Sequence, residues 1–280
     1  MRDARTSDGA ACDILTSMAV YTHGHHDSVL RSHNTRSIVN SAAYLEPHLA
    51  AEAHLLDIGA GPGTITVDFA GRVGRVTATE ISDDALALSR GLAAERGIEN
   101  IDFSVEDVHA LSFADDTFDI VHAHQVLQHV GDPVQALREM RRVTKPGGIV
   151  AARDADYSGF IWFPLLPELD EWLRLYREAA RRNGGEPDAG RRLLSWARAA
   201  GFTDITATAS TWCYATPEER RWWGGMWADR ILQSALAVQL ERDGLATRAQ
   251  LQQISGAWRA WASDGDGWYV VPHGEILCRA

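Results

Sequence analysis

The chain has 280 residues, 45% of them hydrophobic and 23% charged, which is enough apolar material for a full core at an ordinary charge content. Its 38 acidic residues against 27 lysines and arginines leave a net charge of −11, which repels a phosphate backbone and sets nucleic acid aside as a partner. Cys12, Cys213 and Cys278 are odd in number and far apart, so neither a disulfide framework nor a metal site is expected, and without an apolar run of spanning length the chain reads as cytoplasmic, with no stable membrane insertion.

Short apolar runs alternate with helical patterns in the first half, the mark of βαβ units and a parallel sheet. Strands are expected at His54–Ile58, Arg75–Thr79, Ile101–Val105, Phe118–His122 and Gly148–Ala152. The intervening helices are Thr64–Gly71, Ser82–Arg96 and Pro133–Val143; Gly97 and the Pro146-Gly147-Gly148 run stop the last two. Composition then changes. All ten tryptophans lie between Trp162 and Trp268, and a boundary is expected around Tyr157-Ser158-Gly159. Helices dominate beyond it, at Pro167–Arg182, Ala189–Ala200, Pro217–Arg242 and Ala246–Ser263. Two extended runs, Ile205–Tyr214 and Trp268–Arg279, are expected to pair like a hairpin and finish the sheet, with the last two helices inserted between them.

The strongest local signal is Leu55-Leu56-Asp57-Ile58-Gly59-Ala60-Gly61-Pro62-Gly63-Thr64, an apolar strand entering a glycine-rich turn that opens a helix. Glycines there let backbone approach a ligand where a Cβ would collide. A dinucleotide fingerprint would carry a glycine at Thr64, and a phosphate loop would carry Lys-Ser or Lys-Thr. Glu80 ends the next strand, 23 residues after Asp57, where an acid can accept both hydrogen bonds of a ribose diol. Asp107 follows the third strand, placed to accept from an exocyclic amine.

Together with the run FDIVHAHQVLQHVGDPVQALREMRRVTKPGG from Phe118 to Gly148, these segments resemble the class I S-adenosylmethionine-dependent methyltransferases. The likeness is to the branch that includes ubiquinone and menaquinone C-methyltransferases and small-molecule methyltransferases of secondary metabolism, and it covers about half the chain, Tyr21 to Tyr157. It implies an α/β fold: a doubly wound, mainly parallel seven-stranded Rossmann-like sheet, with inserted C-terminal helices as a substrate lid. Three regions follow: an N-terminal lid or helix at 1–45, a cofactor-binding core at 46–157, and lid helices with the completing strands at 158–280.

The implied cofactor is S-adenosylmethionine. The resemblance puts Gly59, Ala60, Gly61 and Gly63 under its methionine part, with Asp57 holding the loop or a water near the ammonium. Glu80 would take the ribose hydroxyls, Ile81 would pack on adenine, and Asp107 with Val108 would meet the adenine amine. His124 and Gln125 would line the sulfonium, and Tyr21 would fold over the cofactor.

Transfer of a methyl group from an activated sulfonium needs mainly positioning and desolvation; a base is needed only where the acceptor must lose a proton. The candidates for that base are His124, His129, Asp154 and Tyr157, with Asp156 beside them. His23, His25, His26 and His33 cluster near the N-terminus, yet no acid or cysteine recurs at ligand spacing, and no metal is expected. Most tryptophans should be core. Those in Arg220-Arg221-Trp222-Trp223-Gly224-Gly225-Met226-Trp227 are hard to bury on one helix face, and they suit a small aromatic or hydrophobic acceptor. The expected activity is therefore methylation of O, N or C of a small metabolite. Two alternatives stay open: a cofactor-binding protein that runs a non-methylating reaction, and an NAD-dependent oxidoreductase, which the missing glycine at Thr64 argues against.

Overall fold

A computed structural model describes residues 35–280; Tyr21 and the N-terminal histidines lie outside the described residues. The first half follows the expected alternation: β1 (His54–Ile58), α1 (Thr64–Ala70), β2 (Arg75–Glu80), α2 (Asp83–Glu95), β3 (Ile101–Val105), β4 (Phe118–His124), α3 (Pro133–Val143) and β5 (Thr144–Ala155). Sequence punctuation sets the helix starts. Ser82 caps α2 by accepting from the Ala85 N–H, and Asp132 caps α3 by accepting from the Gln135 N–H ahead of Pro133.

The second half holds β6 (Ile161–Phe163), α4 (Pro167–Arg182), α5 (Leu193–Ala199), β7 (Ile205–Tyr214), α6 (Pro217–Gln233), α7 (Ala235–Arg242), α8 (Arg248–Ser263) and β8 (Trp268–Arg279). The sheet runs β3-β2-β1-β4-β5-β8-β6, with β7 also paired to β8. Strands β1 to β5 are mutually parallel, and β8 is antiparallel to β5, β6 and β7. The doubly wound sheet and the pairing of the two C-terminal runs stand as expected.

Four expectations are corrected. The sheet has eight strands, because the chain returns after β5 and pairs Ile161–Phe163 with Trp268–Val270 at the start of β8. The helix expected over Pro217–Arg242 is two helices, because Ser234 is extended (φ −87°, ψ 173°) and ends α6 while opening α7. The helix expected from Ala189 begins at Leu193, after a single 3-10 turn at Gly190–Arg192. Finally, β4 and β5 run on to His124 and Ala155, so His124 and Asp154 sit on those strands rather than past them, while Gln125, Asp156 and Tyr157 follow them as expected.

Side-chain alternation sorts the sheet into two faces. Leu55, Ile120 and Ala151 meet α1 through Phe69 on one face, and Leu56, Val121 and Val150 meet α3 and α5 on the other. A third core joins the C-terminal helices around Trp172, Trp227, Trp258 and Trp261, all fully buried. No helix among the described residues is long and apolar enough to cross a membrane.

Candidate active site

Parallel strands align their C-terminal ends, and a cavity of about 290 Å³ opens there, along the ends of β1, β2, β3 and β4 and under α6. Its floor is the glycine turn. Gly59, Gly61 and Gly63 have φ of +68°, +56° and +84°, conformations that L side chains rarely adopt. The N–H groups of Gly59 and Ala60 both donate to the Thr79 carbonyl, which hangs the turn from the end of β2. Glu80 fastens it from above: one carboxylate oxygen accepts from the Gly61 N–H at 2.7 Å and the other from the Ile81 N–H at 3.2 Å.

Asp57 works from below. On β1 it lies opposite His122 of β4, and its two oxygens accept from His122 Nδ1 at 2.8 Å and Thr66 Oγ1 at 2.6 Å. Both oxygens are thereby engaged with α1 and β4. Gly63 departs from expectation. It does not line the cavity, and a Cβ there would meet Ser89 of α2, so this glycine serves helix packing.

Beyond Glu80 the wall is half apolar and half acidic. Ile81 and Leu88 line the cavity and are 54% and 39% exposed. Asp107 accepts from the backbone N–H and ring Nδ1 of His109 at 2.9 and 2.7 Å. Partial burial raises its pKa, but these hydrogen bonds outweigh that and hold it below the usual carboxylate value. Glu106, engaged with Ser104 and Ser112, is held down in the same way against burial.

The end of β4 supplies His124 and Gln125. Gln125 is forced into the left-handed region, φ +55°, a strained position for a non-glycine residue. Three contacts hold it there: its N–H donates to the Arg153 carbonyl at 2.7 Å, Arg36 Nη2 donates to its side-chain oxygen at 2.6 Å, and its amide nitrogen meets His273 Nε2 at 3.0 Å. His124 faces the packed rings of Trp212 (5.9 Å) and His273 (6.3 Å), and neither of its ring nitrogens has a hydrogen-bond partner among the described residues. Burial, and then the charges of Arg36 and Arg153, keep it neutral. Burial followed by Arg36 lowers His129 to about 3.

The structure separates the proposed bases. His124, His129 and Tyr157 line the cavity, whereas Asp154 does not. Its carboxylate lies beneath the loop after β4, accepting from the Gln128 N–H at 3.0 Å, and burial raises it to about 7 although that bond opposes the shift. Asp156 is also spent, in a two-point ion pair with Arg191 at 2.6 Å.

The roof is aromatic. Tyr157 stacks between Tyr176 at 4.1 Å and Phe160 at 4.4 Å. Trp223, Trp227 and Arg230 recur at i, i+4 and i+7 on α6, so one helix face presents all three, with the Arg230 guanidinium 4.6 Å from the Trp227 ring. The crowding of the Trp222–Trp227 run foretold this wall. Arg36, Trp212 and Arg230 were not singled out; only the spacing of Arg230 from Trp227 could have marked it, and Trp212 reaches the site through strand pairing far along the chain.

Residues 49–201, more than half the chain, match the methyltransferase-domain family. A methyltransferase of Schizosaccharomyces pombe, itself uncharacterized, is 35% identical over 94% of this chain and 97% of its own. The ubiquinone/menaquinone biosynthesis C-methyltransferase UbiE of Klebsiella pneumoniae is 39% identical over 54% of this chain and 66% of its own. Among solved structures, the YcgJ protein of Bacillus subtilis has the same fold, with a TM-score of 0.54 at 21% identity over 91% of this chain and 98% of its own. The chain belongs to the methyltransferase family.

Proposed function

We propose that the protein transfers a methyl group from S-adenosylmethionine to O, N or C of a small organic acceptor. The observation that carries this reading is that one continuous cavity joins the glycine turn and the carboxylates of the β1–β3 ends to the aromatic roof under α6. A donor and an acceptor can therefore lie in a single volume shielded from water.

The residues fit the donor. Glu80, already at hydrogen-bonding distance from the turn, would take the ribose hydroxyls; exposed Ile81 and Leu88 suit the faces of adenine; Asp107 and Val108 would meet its amine. Gly59, Ala60 and Gly61 would lie along the methionine part, with Asp57 acting on them through α1 and β4. When bound, the cofactor supplies a methyl group on a sulfonium, an electrophile that needs no further activation. Residues 46–157 would then form the donor half, and 158–280 the acceptor half and the completing strands. If the acceptor must lose a proton on the enzyme, His124 and His129 are the bases in reach, since both line the cavity in neutral form.

The test is Glu80→Ala and Glu80→Gln measured by titration with S-adenosylhomocysteine. Loss of charge-assisted hydrogen bonds, about 1.5–3 kcal/mol each, predicts affinity at least tenfold weaker in the alanine variant, with an intermediate loss in the glutamine variant. Unchanged affinity would remove the ribose assignment.

A further inference from the structure

Gln125 governs how the chain leaves β4. The segment that follows it, residues 126–130, meets both parts of the cavity: a Cβ on Gly59 would strike the Val126 side chain, while Gln128, His129 and Val130 stand in the wall. Where that segment lies depends on a residue held at φ +55°, a conformation that persists only where neighbours over-determine it. The Gln125 side chain supplies two of the restraints, and they are of opposite polarity. Its oxygen accepts from Arg36 Nη2 at 2.6 Å, and its nitrogen meets His273 Nε2 at 3.0 Å. An amide nitrogen can only donate, so His273 Nε2 accepts and the proton of the neutral ring sits on Nδ1. A proton on Nε2 would set donor against donor and turn the amide oxygen away from Arg36.

We infer that His273 is a positioning residue for methyl transfer: as the Nδ1–H tautomer it holds the Gln125 amide, and through it sets residues 126–130 against the glycine turn and places His129 in the wall. This deepens the methyltransferase reading and rests on it. His273 is 1% exposed and does not line the cavity, so it acts on a ligand there only through other residues. Its surroundings hold the form the contact needs. Burial, and then the charges of Arg153 and Arg36, keep a second proton off the ring, although the Val271 backbone favours one. Ring contacts fix its plane, with Trp212 edge-on at 4.4 Å and His124 stacked at 6.3 Å. Strand register delivers it: His273 lies 148 residues beyond Gln125, on β8, where it pairs with Ala155 of β5 and Ser210 of β7. A strand of the acceptor half thereby orders the turn that borders the donor.

The experiment uses the full chain and has two parts. Nitrogen NMR of the unaltered protein at neutral pH, with the His273 signals identified by their loss in His273→Gln, should show the ring proton on Nδ1 and a bare Nε2. A proton on Nε2 would overturn the inference, and this reading needs no core variant to fold beyond the glutamine one. Calorimetric titration with S-adenosylhomocysteine then measures the coupling. His273→Leu, which cannot accept a hydrogen bond, should weaken binding at least about fivefold, and His273→Gln, whose side-chain oxygen can accept, should recover most of that loss. In a Gln125→Ala background the same His273→Leu change should alter affinity by less than about twofold, because the amide it acts on is gone. An equal loss in both backgrounds, or a glutamine variant no better than the leucine one, would make His273 a packing residue and overturn the inference. Failure of S-adenosylhomocysteine to bind the unaltered protein is read separately, beforehand, and would instead remove the methyltransferase reading on which the inference rests.

Discussion

Asp154 carries the clearest pH signature of any single residue. An unfolded aspartate ionises near its usual value of about 3.9, whereas burial keeps this carboxyl protonated up to about 7 in the fold. Between those values the folded chain binds the extra proton, so this residue's contribution to stability falls as pH rises through that window. Asp154→Asn keeps an oxygen for the Gln128 N–H and removes the titration. The variant should resist urea better than the parent at pH 8, by on the order of 2 kcal/mol, and match it near pH 4.5. Equal behaviour at both values would contradict the assignment. Residues of this kind divide by how they can be read from sequence. The positions of Glu80 at the end of β2 and Asp107 just beyond β3 were legible because strand ends announce themselves through periodicity. The idle role of Asp154 in binding was not legible, since whether a carboxylate at the end of β5 faces the cavity or the loop beneath it depends on register and burial.

At the scale of elements, the turn-to-helix junction depends on Gly63. Its φ of +84° strains any other residue, and a Cβ would lie 2.9 Å from the Ser89 Cα on α2. Gly63→Ala should therefore destabilise the fold by roughly 2–4 kcal/mol, read as a lowered thermal midpoint in the absence of ligand. A midpoint unchanged within a degree would show that α2 is free to retreat. The elements of the first half were largely visible in the sequence because buried parallel strands are short apolar runs and their helices carry caps at Ser82 and Asp132. The second half was harder. β6 has three residues and takes its place only because β8 offers an edge beyond the end of β5. The break at Ser234 follows from a single extended residue whose hydroxyl donates to the Arg230 carbonyl, which helical periodicity on either side conceals.

The whole molecule couples its site to its acid stability. His124 and His273 are buried on the face of the sheet that carries Arg153, His129 ends the 3-10 turn Leu127–His129 that follows β4, and each of the three is held below the ordinary imidazole value, chiefly by burial. Folding therefore excludes protons that the unfolded chain would bind below about pH 6.5. Their stabilising contribution is complete above that pH and is lost as pH falls through the window, at up to about 1.4 kcal/mol per pH unit for each imidazole. Asp154 opposes the trend with one proton. The urea midpoint should fall between pH 6.5 and 5; a midpoint that rises would mean these rings are charged in the folded state.

The central claim is that the glycine turn, Glu80 and the aromatic roof bound one site for S-adenosylmethionine and its acceptor. Calorimetric titration of the protein with S-adenosylhomocysteine, with NAD as the parallel ligand, tests it most directly. Binding of the first in the micromolar range and none of the second is the predicted result. Binding of NAD alone, or of neither ligand, would contradict the account.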